Sequence, residues 1–190
     1  MRCVKQVYVG KLGNAFFYDN VITGQTDFLY GFGTAYIDRS TLSLRNCGGG
    51  ITAWKGTNTT FTNKYGVYIN DAQVIAANST VAKDIVGKCA LGRPWNSQHR
   101  SIFMKSYFDT SINPAGYIIW SKDTPRVDNY TFMAIWKNYG PGYDEKAEAA
   151  SNVTLVLTDT EVAPYRLPVD VFQTPDGKFG NVHWIDRRSL

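Results

Sequence analysis

Most of the residue spacings that announce catalytic chemistry are missing from this chain. No Gly-x-Ser-x-Gly elbow presents a serine nucleophile. The two histidines, His99 and His183, stand far apart with no partnered nucleophile, and both read as structural or exposed. Cys3, Cys47 and Cys89 lack metal-ligand spacing; one disulfide plus a free thiol, or three buried thiols, would each account for them. No acidic cluster points to a bound metal, and no cofactor is expected. Two segments stand out against this background. One is Ile22-Thr23-Gly24-Gln25-Thr26-Asp27-Phe28-Leu29-Tyr30-Gly31, and the other is Leu91-Gly92-Arg93-Pro94-Trp95.

Together these segments resemble the two strongest signatures of the pectin methylesterases, Gly-x-x-Asp-Phe-Ile-Phe-Gly and Leu-Gly-Arg-Pro-Trp. Further matches follow in the family's order: Gly50-Ile51-Thr52-Ala53, then Ile112-Asn113-Pro114-Ala115-Gly116-Tyr117 ahead of Trp120, then Tyr139-Gly140-Pro141-Gly142. Ile51 to Gly56 and Asp123 to Phe132 look fungal in style. The resemblance covers nearly the whole chain and implies an aspartyl esterase acting on polygalacturonate methyl esters. An ester hydrolase without serine or metal needs a carboxylate nucleophile and a group to hold it ionised. Asp27 fits the nucleophile. Arg93 fits its holder, because a guanidinium is permanently charged and grips a carboxylate with a planar fork. Trp95 offers a ring face to a galacturonate unit, in an open groove, and Phe28 would help floor the subsite. Asp27 and Arg93 are expected on neighbouring coils. The bland alternative for them is a structural ion pair.

The pattern breaks near the start. The family carries Gln-Asp-Thr-Leu-Tyr upstream of its nucleophile, with the Asp as general acid and the Gln stabilising the oxyanion. The alignable segment here is Val4-Lys5-Gln6-Val7-Tyr8, which sets Lys5 at the acid's position and Val4 at the glutamine's. General acid catalysis is worth roughly 10² to 10⁴, and one oxyanion donor roughly 10² to 10³, so weak turnover is expected. The alternative is a non-catalytic pectin-binding remnant. A third reading is a polysaccharide lyase with an arginine base, which usually needs calcium held by several acids.

The elements that must position these residues read as strands. Ala15-Phe16-Phe17-Tyr18, Thr34-Ala35-Tyr36-Ile37, Gly66-Val67-Tyr68-Ile69-Asn70 and Ser101-Ile102-Phe103-Met104 are short apolar runs separated by polar or glycine-bearing turns. Several share a shape: an aromatic or branched pair, then Asp, Asn or Ser, then another branched residue. The anchors Phe17, Tyr36, Tyr68 and Phe103 are unevenly spaced, as in stacked coils with variable loops. Pattern alone leaves a β-sandwich or barrel open. The resemblance implies an all-β, single-stranded, right-handed parallel β-helix of the pectin-lyase kind. It would form a single domain over 1–190 that lacks the first coils. Long helical periods are hard to find before Asp144. Asp144 to Ala150 favours a helical turn or two, Val162 to Pro168 reads as an extended connector, and Val169 to Phe172 with Trp184 should pack back on the body.

Composition sets outer bounds. Apolar residues make up 44% and charged residues 19%, which is a globular balance rather than a disordered one. The net charge of +4 suits either a solvated surface or a cleft for a polyanion. No basic cluster exceeds Arg187-Arg188, so nucleic acid is not an expected partner. No stretch is long enough to span a membrane, and Met1-Arg2-Cys3-Val4-Lys5 leads into no signal-like apolar run. Asn58, Asn78, Asn129 and Asn152 each open a glycosylation sequon, where about two would arise by chance. With the resemblance, they imply a secreted glycoprotein, expected to be a monomer with pectin as its partner.

Overall fold

The structure, a computed structural model, describes residues 3–4, 6–56 and 64–190. Its strands fall into three parallel sheets that the chain visits in rotation. The first sheet pairs Cys3–Val4, Val21–Gly24, Thr41–Leu44, Gln73–Ala76 and Tyr107–Phe108, in that order. The second pairs Val7–Val9, Leu29–Gly31, Gly50–Trp54 and Ala90–Gly92. The third pairs Asn14–Tyr18, Thr34–Asp38, Gly66–Asn70, Arg100–Met104, Phe132–Trp136 and Leu155–Val156. Each circuit adds a coil, so the molecule is a right-handed parallel β-helix. Strands pair with the next circuit rather than with their chain neighbours, which is why no hairpin signal appears in the sequence.

Register explains the uneven anchors. Phe17, Ile37, Ile69, Phe103 and Ile135 stand in one column of the third sheet. From Ile37 onward the column belongs to the fully buried interior. Phe16, Tyr36, Tyr68, Ile102 and Ala134 form the adjacent column on the opposite face. Phe17 and Phe103 therefore point inward while Tyr36 and Tyr68 point outward, since successive strand residues alternate. The outward column is not solvated. Val162, Val171, Phe172 and Ile185 of the tail close over it as a second apolar cluster. Covered on both faces, these strands read as continuous apolar runs instead of alternating ones.

The turn from the third sheet to the first repeats in every circuit. Asp19, Arg39, Asp71, Lys105 and Lys137 all take positive φ, between 47° and 51°. Each of the first four donates its backbone N–H to the third-sheet strand of the following coil, as Asp71 does to Met104 O at 2.9 Å. Ser40 and Ser106, one position later, accept from Asn20 N and Ala72 N of the preceding coil. The shared Asp/Asn/Ser shape of the sequence is this turn.

One reading of local structure needs correction, and one short helix accords with the expectation that long helical periods are scarce before Asp144. A six-residue helix, Ser79–Asp84, precedes Asp144; Asn78 starts it by accepting from the N–H of Thr80 and Val81. Val162 to Pro168 is not extended. It continues the helix Asp159–Val162 through a 3-10 turn at Ala163–Tyr165, and Leu167 alone breaks to extended backbone before the helix Pro168–Val171. A capping box between Thr158 and Glu161 launches the first helix. Pro164 and Pro168 sit in first turns, where a missing N–H costs nothing. The helix Glu145–Ala149, capped by Asp144, lies where helical residues were expected. Val171 and Phe172 are buried, while Trp184 packs edge-on against Phe172 and stays 41% exposed.

Candidate active site

Asp27 sits in the turn that feeds Leu29–Gly31, and its backbone takes the left-handed conformation, φ 47°. Its N–H donates to Gly50 O at 2.7 Å, which fixes the turn against the next coil. Gly24 permits the same turn. A β-carbon there would lie 2.1 Å from the Phe28 ring, so the glycine lets Phe28 fold underneath while Asp27 faces out. Phe28 is consequently 2% exposed and part of the interior. The expectation that it floors a sugar subsite is corrected: the left-handed turn at Asp27 and the space left by Gly24 send the Phe28 ring into the interior.

Arg93 follows the strand Ala90–Gly92 and reaches Asp27 from the other side. Its Nη2 donates to Asp27 Oδ2 at 2.6 Å, and its Nε lies 3.1 Å from both carboxylate oxygens. Gly50 N–H adds a bond to Oδ1 at 3.2 Å. The two residues are not on neighbouring coils, as expected from the motifs, because the strand Gly50–Trp54 runs between them. The glycines entering that strand make the reach feasible. A β-carbon on Gly49 would lie 2.7 Å from Arg93 Cζ. A disulfide between Cys47 and Cys89 ties this glycine loop to the segment leading into Arg93. It settles the cysteine alternatives for that pair.

Around the pair lies an open cavity of about 440 Å³, lined by Gln6, Thr26, Asp27, Tyr30, Ala53, Trp95 and Trp120. Trp95 thus stands beside the nucleophile candidate with part of its ring accessible. Trp120, read from sequence only as a trailing match, is central here. The guanidinium carbons of Arg93 and Arg126 lie 4.3 and 4.2 Å from its ring centre. Arg126 also donates to Trp95 O at 2.7 Å, closing a circuit from Asp27 through Arg93, Trp120 and Arg126 to Trp95. Neither Trp120 nor Arg126 has a fixed spacing from Asp27 that a sequence would reveal. Gln6 also lines the cavity. Lys5 lies outside the described residues, as does Asn58.

His99 is fully buried behind this wall. Trp54 N–H donates to its Nδ1 at 3.0 Å, and its Nε2 meets Ser101 Oγ at 2.7 Å, which in turn meets Tyr117 Oη. Burial pushes its pKa down to about 3, so it serves as a neutral strut. His183 is exposed on the tail.

A coiled stack of parallel strands carrying a forked Asp–Arg pair in an aromatic groove defines a β-helical protein with a carboxylate-centred site. Residues 6–167 match the pectinesterase family model, and the chain belongs to the pectinesterase family. A probable pectinesterase/pectinesterase inhibitor 33 of Arabidopsis thaliana is 31% identical over 152 residues, covering 78% of this chain and 25% of that protein. The pectin methylesterase from Aspergillus niger superposes with a TM-score of 0.66 at 21% identity, over 94% of this chain and 52% of its own. The pectin methylesterase from carrot gives 0.67 at 18%, over 94% and 59%. The chain therefore spans about a quarter of that plant relative and just over half of each solved structure. Plant and fungal proteins both appear, so the matches extend beyond the fungal style read from Ile51 to Gly56.

Proposed function

We propose that the groove binds methyl-esterified polygalacturonate and that Asp27 attacks the C6 ester carbonyl. The observation that carries this is the Asp27–Arg93 pair, bidentate at 2.6 to 3.1 Å and opening onto the Trp95 cavity. Arg93 holds the carboxylate's aim. Attack releases methoxide, which takes a proton from water in the groove and leaves as methanol, and water then hydrolyses the remaining acyl-enzyme anhydride to the free acid and returns Asp27 as its carboxylate. Negative charge grows on the carbonyl oxygen during attack, and Gln6, which lines the cavity, is the residue proposed to meet it. No cofactor takes part in this scheme. The setting we infer is extracellular, with the protein a secreted monomer. Asn78, Asn129 and Asn152 are exposed, as glycan acceptors must be, and no helix of the described residues is long and apolar enough to cross a membrane.

The second reading, a pectin-binding protein without turnover, draws on a different observation. Asp27 is the one acid among the described residues that line the cavity, so the departing methoxide meets no second carboxylate there. Methanol release from methyl-esterified pectin separates the two. Release that disappears in Asp27→Asn supports the esterase. Binding without release, unchanged in Asp27→Asn, supports the remnant.

A further inference from the structure

Arg126 ends a tight loop that begins at Trp120. Trp120 N–H donates to Pro125 O at 3.1 Å, and the hydroxyls of Ser121 and Thr124 meet at 2.7 Å inside the turn. Arg126 then takes the left-handed conformation, φ 59°, a region that L side chains rarely adopt. The chain doubles back as a result. The guanidinium carbon of Arg126 lies 4.2 Å from the centre of the Trp120 ring, and its Nη1 donates to Trp95 O at 2.7 Å. The same Trp120 ring lies 4.3 Å from the guanidinium carbon of Arg93. One indole therefore serves two guanidinium groups, each drawn to its electron-rich face.

Arg93 is already committed, in its own plane, to Asp27 through Nη2 and Nε. In-plane bonds fix where a fork points but leave it free to tilt about the line to the carboxylate. A ring laid against the guanidinium removes that freedom. Trp120 can do this only while its loop holds still, and Arg126 is the residue that ties the ring to the backbone of Trp95. Resting on the proposed function above, we propose that Arg126 is a positioning residue for that reaction. Through Trp120 it sets the tilt of the Arg93 fork and so the aim of Asp27. Its bond to Trp95 O makes the aromatic wall and the Asp27–Arg93 pair one braced unit.

A double-mutant cycle on methanol release from methyl-esterified pectin tests this. Arg126→Met keeps the aliphatic stem and removes the guanidinium. It should lower kcat about tenfold, part of the cost of a misplaced reacting group, with KM within about twofold of wild type. In an Arg93→Lys background, where the fork is already lost, the same substitution should lower kcat by less than about twofold more. If Arg126→Met does not fold, Arg126→Lys, which keeps the charge and loses the planar face, runs the same cycle with the same expected coupling. Falls that multiply in the double variant overturn the positioning role while the esterase reading stands. So does a kcat that matches wild type, with or without a higher KM. No release by the wild type overturns the esterase reading and this role with it.

Discussion

Asp27 occupies backbone space that costs an L-residue about 1 kcal/mol and that Asp and Asn tolerate best. Asp27→Asn therefore keeps the turn and removes the proposed nucleophile; folding stability should hold while methanol release falls to background. Arg93→Lys keeps the charge but loses the planar fork, and a misaimed carboxylate should lower turnover by on the order of 10². A rate within twofold of wild type would show that the fork does not aim the nucleophile. Trp95→Ala should weaken oligogalacturonate binding by roughly 1–3 kcal/mol, and unchanged affinity would assign the ring to structure alone. Asp27, Arg93 and Trp95 were legible because each sits inside a motif whose neighbours shape the turn. Phe28 was misread because adjacency in sequence looks like adjacency in the groove, while Gly24 turns it inward. Trp120 and Arg126 arrive from a loop whose geometry no local spacing encodes.

At the level of elements, the strands were legible from their branched and aromatic runs, but their faces were not. The third-sheet strands carry apolar side chains on both sides because the tail supplies a second cover. The tail's turns were missed for a related reason. Pro164 and Pro168 look like helix breakers, yet they stand where helices begin. The glycine loop between the first and second sheets is a different case, since its position depends on a crosslink. Closing the 42-residue separation between Cys47 and Cys89 should contribute about 4 kcal/mol by chain entropy. A Cys47→Ser/Cys89→Ser protein should show a clearly lower urea midpoint. It should also release methanol more slowly, because Gly49 and Gly50 would no longer be held beneath the guanidinium. A midpoint matching wild type would remove the disulfide from the stability account.

Across the whole molecule, two buried titratable groups oppose each other in pH. His99 is held neutral with its pKa near 3 against an ordinary 6.5, so stability is lost as pH falls below about 6.5. Glu148 is buried, its carboxylate oxygens have no hydrogen-bond partner among the described residues, and burial pushes its pKa up to about 8. Being an acid kept protonated, it loses stability as pH rises above about 4.5. Each slope is about 1.4 kcal/mol per pH unit. They cancel between pH 4.5 and 6.5, leaving a plateau with a fall toward pH 3 on one side and toward pH 8 on the other. Urea unfolding at pH 3.5, 5.5 and 8.5 should trace that plateau. Glu148→Gln should remove the alkaline fall, and a fall that persists in it would clear Glu148. The turn from the third sheet to the first always spends two residues, whereas the other two corners range from two to thirteen. One edge of the prism is thus a fixed spine, and every change of length is confined to the two edges beside the second sheet, where the groove opens. A library that varies the loops there, spine untouched, should yield folded variants with new ligand preferences far more often than one that varies positions 19–20 or 71–72.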